Sequence, residues 1–272
     1  MDKLEQLRTL VDSGSSRRAF ARNVMVGGLG FGAAALLTTD QELHAQSLTD
    51  TDILNFALNL EYLEAEFYTV ATSGQRIADQ GIGITGTGRA GETVGGSRVS
   101  LNDRNMTVAM QIALDERAHV QFLRSALGSA AVAKPAINLA ALNLGFNNTN
   151  EFLTLARAFE DLGVSAYGGA ASAISSRSIL TAAAQIALTE AQHAGVLRLL
   201  VSDAGVAVPA MDALDILPLA SPNGRLFQVD GAGLSTIRTP GQVLAIAYGS
   251  ATSGTRSEGF FPAGVNGVIA SV

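Results

Sequence analysis

The chain contains three histidines, and two of them stand in one frame: Glu116-x-x-His119 in ALDERAHVQFLR and Glu190-x-x-His193 in ALTEAQHAGVLR. Residues three apart share a face of an α-helix, so each pair can bring a carboxylate oxygen and an imidazole nitrogen to one cation. A single such pair is equally well explained as a surface ion pair. Here both pairs interrupt apolar stripes, Ala109, Ile112, Ala113, Val120 and Leu123 around the first, and Ala183, Ile186, Ala187, Ala194 and Leu197 around the second. Glu61 falls in the same way among Leu54, Leu58, Ala65 and Tyr68, and Glu160 among Phe152, Ala156 and Tyr167. Four carboxylates and two imidazoles should therefore point into one apolar interior. Ionised carboxylates buried without partners cost many kcal/mol. Two divalent cations would set four positive charges against the four carboxylates.

With no cysteine in the chain, a metal must be held by histidine and carboxylate, a donor set that suits iron or manganese and disfavours structural zinc. Two such ions about 3.5–4 Å apart can take oxygen or peroxide between them and exchange two electrons. The expected cofactor is a pair of Fe or Mn ions, and the expected partners are small molecules: oxygen, peroxide or metal ions. The competing reading is a buried hydrogen-bond network that holds no metal.

The neighbours of these residues divide. Glu64 follows Glu61 by one turn, but its counterpart in the repeat described below is Gly163, which places it on the surface or beside the ligands rather than among them. Asp115 and Asp161 each adjoin a candidate ligand and are turned about 100° off its face, which suits solvent or a supporting role. Tyr68 and Tyr167 read as core aromatics with satisfied hydroxyls, with a catalytic, redox role beside the metal ligands as the alternative.

The elements that must position these groups are helices. One opens at Thr49 or Asp50 and stops at Gly74; others are expected over about 101–127, 149–172 and 178–203, with breaks at Pro135 and at NLGFNNTN. A Gly-rich stretch between the first two is long enough to suggest a functional, lid-like loop. At an offset of 74, eight of the 14 positions of 111–124 recur in 185–198, and at an offset of 99, Ala57, Glu61, Leu63, Tyr68 and Ala71 recur as Ala156, Glu160, Leu162, Tyr167 and Ala170. The chain looks like two copies of a helix pair. The expectation is an all-α fold, an antiparallel four-helix bundle over 46–205 with one long crossover. Residues 206–272 read as an irregular extension packed on the bundle, with one short helix at TPGQVLAIAYG.

Composition narrows the function. The chain has 272 residues, 47% of them hydrophobic, and a formal charge of −6 with two lysines, Lys3 and Lys134, which excludes a nucleic-acid surface. Residues 1–45 carry Arg17, Arg18 and Phe20 before a mildly apolar run from Val24 to Leu37, and resemble a twin-arginine export signal. That run falls short of the roughly 20 residues of a membrane-spanning helix. Ala45 offers a cleavage position, although Leu43 departs from the small residue expected there, and an uncleaved anchor is the alternative. The protein is accordingly expected to be exported, periplasmic or extracellular, touching a membrane only through that segment. His44, beside the cleavage point, reads as idle. Self-association into a homo-oligomer stays open.

One glutamate from each of two helices and Glu-x-x-His from each of two others is the ligand set of dimetal carboxylate bundles. In this, and in DERAH at 115–119 and a tyrosine seven residues after the first glutamate, the sequence resembles the ferritin-like superfamily, which includes bacterioferritin, rubrerythrin and manganese catalase, over about residues 50–203. The resemblance implies Glu61, Glu116, His119, Glu160, Glu190 and His193 as metal ligands, and ferroxidase-like or catalase-like redox chemistry. DILNFALNLEYLEAEFY and the GFFPAGVNG ending are similar to the bacterial and plant ferritin-like group that includes desiccation-related proteins. That similarity implies the competing function, a non-catalytic protective or structural bundle.

Overall fold

The computed structural model describes residues 48–272. The expected leader over 1–45, His44 included, lies outside the described residues. Four long helices form the core: α1 Asp50–Ser73, α2 Asp103–Leu127, α3 Thr149–Ala170 and α4 Arg177–Asp203, with a short α5 at Pro240–Tyr248. Each begins on a side chain that accepts a backbone N–H of its first turn: Thr49, Asn102, Asn148, Ser176 and Thr239. Thr49 and Thr239 complete capping boxes with Asp52 and Gln242, and α1 ends on Gly74 in the left-handed conformation. The third helix stops two residues short of the expected boundary, its last turn tightening into a 3-10 helix at Ala171–Ala173. No helix among the described residues is long and apolar enough to cross a membrane.

The helices pack chiefly as two pairs, α1 with α2 and α3 with α4. Cross-links show the sense of the first pair: Arg124 reaches Tyr62, and Arg117 reaches Thr69, so α1 and α2 run antiparallel. The six-residue link from α3 to α4 allows only the same arrangement in the second pair. The chain passes between the pairs through the long crossover 128–148.

Helix α1 is buried nearly all round, beyond the single stripe that its sequence displays. The Gly-rich 74–102 connection is the first reason. It lies against the crossover, pairing Thr93–Val94 with Ile137–Asn138 as two parallel strands and bridging Thr87 to Val132. Its glycines permit this contact: a Cβ at Gly86 or Gly91 would collide with the backbone of 131–136. Lys134, buried, donates to the Gly91 carbonyl and to Thr93 Oγ1 at 2.8 Å each. The stretch read from sequence as a lid is thus pinned down along its length. The C-terminal end supplies the second cover. Asn266 donates its backbone N–H to Asn59 Oδ1 and accepts from Asn59 Nδ2 on α1, while its own amide bonds both Arg89 and Ala133.

The remainder of the extension is fastened to the second pair by three buried arginines, Arg157, Arg198 and Arg238. Arg198 bonds Asp161 at 2.7 Å and donates to the carbonyls of Ile216, Arg225 and Leu226. Arg157 lies between Asp161 and Asp215, and Arg238 joins Asp212 to Ser165. Asp161 is fully buried here rather than solvated. Burial outweighs its two arginine partners and raises its pKa to about 6. The repeat explains the layout, since Arg198 is Arg124 plus 74 and Asp161 is Tyr62 plus 99. Arg124 likewise crosses to Tyr62 and holds the Thr85 carbonyl of the first irregular segment.

Replacing Arg198 by methionine should cost about 3–5 kcal/mol in chemical denaturation, because it leaves Asp161 buried with a single cation and frees three carbonyls. Limited proteolysis of that variant should cut first within 206–234. A loss below about 1 kcal/mol would show that the extension is held by other contacts.

Candidate metal centre

The six residues singled out by spacing meet at the middle of the bundle. Glu61 comes from α1, Glu116 and His119 from α2, Glu160 from α3, and Glu190 and His193 from α4. All four carboxylates are fully buried. His119 Nδ1 lies 3.2 Å from Glu61 Oε2, 3.3 Å from Glu116 Oε2 and 3.3 Å from Glu190 Oε1. His193 Nδ1 lies 3.1 Å from both Glu116 Oε1 and Glu160 Oε2. An N–H cannot serve three carboxylate oxygens at once, whereas one nitrogen and three oxygens gathered around a point is how a cation is held.

The donors separate into two four-residue groups, Glu61, Glu116, His119 and Glu190, and Glu116, Glu160, Glu190 and His193, with ligand atoms within 4.8 Å of one another in each. Glu116 and Glu190 belong to both. Five fully buried oxygens of the site, Glu61 Oε2, Glu116 Oε1, Glu160 Oε1 and both oxygens of Glu190, lack a well-formed hydrogen bond, and three of them have only a shared histidine nitrogen at 3.1–3.3 Å. Orphaned acceptors of this kind cost about 1–3 kcal/mol each, more when charged, so their concentration at one place marks a place built for positive charge. Each of these groups of oxygen and imidazole donors could hold a metal ion.

Residues 49–203 match the family model of the ferritin-like domain. The chain belongs to the ferritin-like family. Comparison with curated proteins finds no match.

Within this ferritin-like bundle the two tyrosines bear on the carboxylates from opposite pairs. Tyr167 on α3 donates its hydroxyl across to Glu61 Oε1 at 2.5 Å, and Tyr68 on α1 donates to the Ala156 carbonyl on α3 at 3.3 Å. Burial first, then the charge of Glu61 for Tyr167 and of Glu160 for Tyr68, raises both phenols well above their ordinary range, so they remain protonated donors. Asp115 is half exposed, and its Oδ2 lies 3.1 Å from His193 Nε2. That bond directs the other ring nitrogen, Nδ1, toward Glu116 and Glu160.

Of the two positions expected for Glu64, the structure gives the one beside the ligands and not the surface. It is 5% exposed, and a Cβ built on Gly163 would sit 3.1 Å from its Oε1 and 2.6 Å from Glu190 Oε2. Glycine at its repeat counterpart is what makes room for this carboxylate in the interior.

Without cations, protons have to offset the charge. Burial alone would lower the histidines, but for His119 the charge of Glu61 and bonds to Glu116 and Glu190 raise its pKa far above the usual range, and for His193 the bonds to Glu116 and Glu160 raise it to about 11. At Glu61 burial is the largest influence and raises the pKa, but the charge of His119 together with hydrogen bonds from His119, Glu116 and Tyr167 brings it below the ordinary value. Burial, reinforced by Glu160 and Glu61, lifts Glu116 to about 7, and burial with Glu116 lifts Glu190 well above its ordinary value.

A group with a raised folded pKa binds more protons folded than unfolded, so its contribution to stability falls as pH rises. For Glu116 the window runs from about 4.5 to about 7, and for His193 from about 6.5 to about 11. The metal-free protein should therefore lose thermal stability steadily from pH 5 to pH 9, measured by calorimetry after chelation. Bound cations displace those protons, so the gap in Tm between loaded and metal-free protein should widen over the same range. A gap that narrows with pH would contradict the charge assignment.

Proposed function

We propose that this ferritin-like protein binds a dinuclear iron or manganese centre and uses it for redox chemistry on oxygen, peroxide or ferrous iron. The observation that carries this reading is the pair of buried four-residue donor groups that share Glu116 and Glu190. A pair of such ions, when bound, supplies two-electron exchange with a small oxidant held between them.

The chain's own residues set the conditions. Glu116 and Glu190, common to both groups, would help to hold both ions. Glu61 and Glu160 close the outer ends, and Tyr167 keeps Glu61 in one orientation through its short hydroxyl bond. Asp115 orients His193 and, being half exposed, connects the ring to solvent, which gives protons a short path toward the site. His119 and His193 are the parts of the centre closest to the surface, with side chains 12% and 8% exposed, so entry is limited to small molecules. The leader at 1–45 supports export by the twin-arginine route. That route carries folded proteins, which would let the centre be filled before export.

Elemental analysis of the purified full chain should find about two iron or manganese ions per chain, and the double variant Glu116→Ala, Glu190→Ala should retain none, since both shared glutamates are lost. Hydrogen peroxide decomposition and ferrous oxidation, measured on the same samples, should fall at least about a hundredfold in the variant. Equal metal content in the two proteins would sink the assignment. Protein that takes up metal but turns over neither substrate would place the bundle among protective or structural ones.

A further inference from the structure

Between the first half of α1 and the end of α3 lies a small apolar cavity that the carboxylate cluster does not use. Its volume is about 20 Å³, and the residues around it include Leu54, Ala57 and Leu60 of α1, Ala166 and Tyr167 of α3, and Ala183 of α4. The tyrosine carries the one hydroxyl among the lining side chains, and that hydroxyl is already committed to Glu61 Oε1 at 2.5 Å. A single phenol ring therefore stands between this space and a carboxylate of the candidate centre.

The repeat shows what keeps the space open. At offset 99 Tyr167 corresponds to Tyr68, and Ile53 and Leu60, which line the cavity, correspond to Phe152 and Phe159. Ala166 corresponds to Phe67. At the equivalent place beside Tyr68, Phe67 is fully buried, its ring centre 5.5 Å from that of Phe152 and 5.1 Å from that of Phe159. Rings thus fill in one half of the repeat the volume that an alanine leaves open in the other.

A cavity of this size has room for one molecule as small as water, yet water would find no hydrogen-bond partner in it. Hydrogen peroxide and a hydrated ferrous ion would each give up their solvation on entry without a replacement. Dioxygen is apolar and loses almost nothing. We propose that the cavity beside Tyr167 is a binding site for dioxygen, adjacent to the dimetal centre and separate from it. This inference rests on the dinuclear reading above and selects oxygen among its three substrates. It also gives the gas its own side of entry. The cavity is made mostly by α1 and α3, with Ala57 and Ala170 partly exposed at its edge, whereas His119 and His193 approach the surface from α2 and α4.

Xenon enters dry apolar cavities and so reports on the site without turnover. Crystals of the full chain pressurised with xenon should show an atom beside Tyr167. Ala166→Phe, which gives the second half the residue of the first, and the milder Ala166→Leu should both lose it. Phe67→Ala, the reverse exchange, should gain a second xenon beside Tyr68. In protein loaded with ferrous iron under argon, the oxygen concentration that gives half the maximal oxidation rate should rise at least about tenfold in Ala166→Leu, with iron content as in wild type. No xenon beside Tyr167 in wild type would overturn the site. Xenon lost from both filled variants with half-saturating oxygen unchanged would overturn its assignment to dioxygen. Wild type that holds xenon but binds no iron would overturn the dinuclear reading while supporting the cavity as a gas site.

Discussion

Glu116 and Glu190 approach each other across the bundle with their carboxylates fully buried, and among the described residues the two histidines are their only cationic neighbours, at 3.1–3.3 Å. Like charges so placed raise each other's pKa and oppose folding unless positive charge comes between them. The helices around them are long, capped and packed over extensive apolar surface, which provides the stability that such an interior consumes. Where protons alone must compensate, they collect on His119 and His193, so the metal-free site is held together by imidazolium and carboxylate.

The centre lies between two helix pairs that are copies of one plan, and each copy also carries an irregular cover. Arg124 anchors the 74–102 connection beside Tyr62, and Arg198 anchors the C-terminal extension beside Asp161, at matching positions of the repeat. The covers themselves share no pattern. One is a glycine-rich ribbon laid against the crossover, and the other is stitched down by guanidinium groups and backbone carbonyls. The duplicated part is the scaffold of the site, and the divergent parts are those that shield it.

The site was readable in advance wherever one helix told its own story. Glu116 with His119, Glu190 with His193, and Glu61 and Glu160 each interrupt an apolar stripe, and a period of 3.6 residues puts them inward without reference to any neighbour. What depends on contact between helices was not readable in the same way. For Glu64 the sequence left surface and interior open, and only the contact across the bundle, where Gly163 provides its space, decides between them. Asp161 was placed correctly off the ligand face, but the cations that wait there come from Arg157 and from Arg198, the latter on another helix. Arg198 was visible as a repeated residue without any sign of its purpose. The near-complete burial of α1 follows from segments up to 207 residues away, which no local pattern records.

Asn266 is the meeting point of those distant segments. Its backbone and side chain together tie α1 at Asn59, the glycine-rich ribbon at Arg89 and the crossover at Ala133. Helix pairs form from contacts local in sequence and can assemble quickly, whereas this junction requires closing a loop that spans most of the chain. The cover over the first helix thus depends on one residue near the end of the chain, and a change at Asn266 would loosen three segments at once.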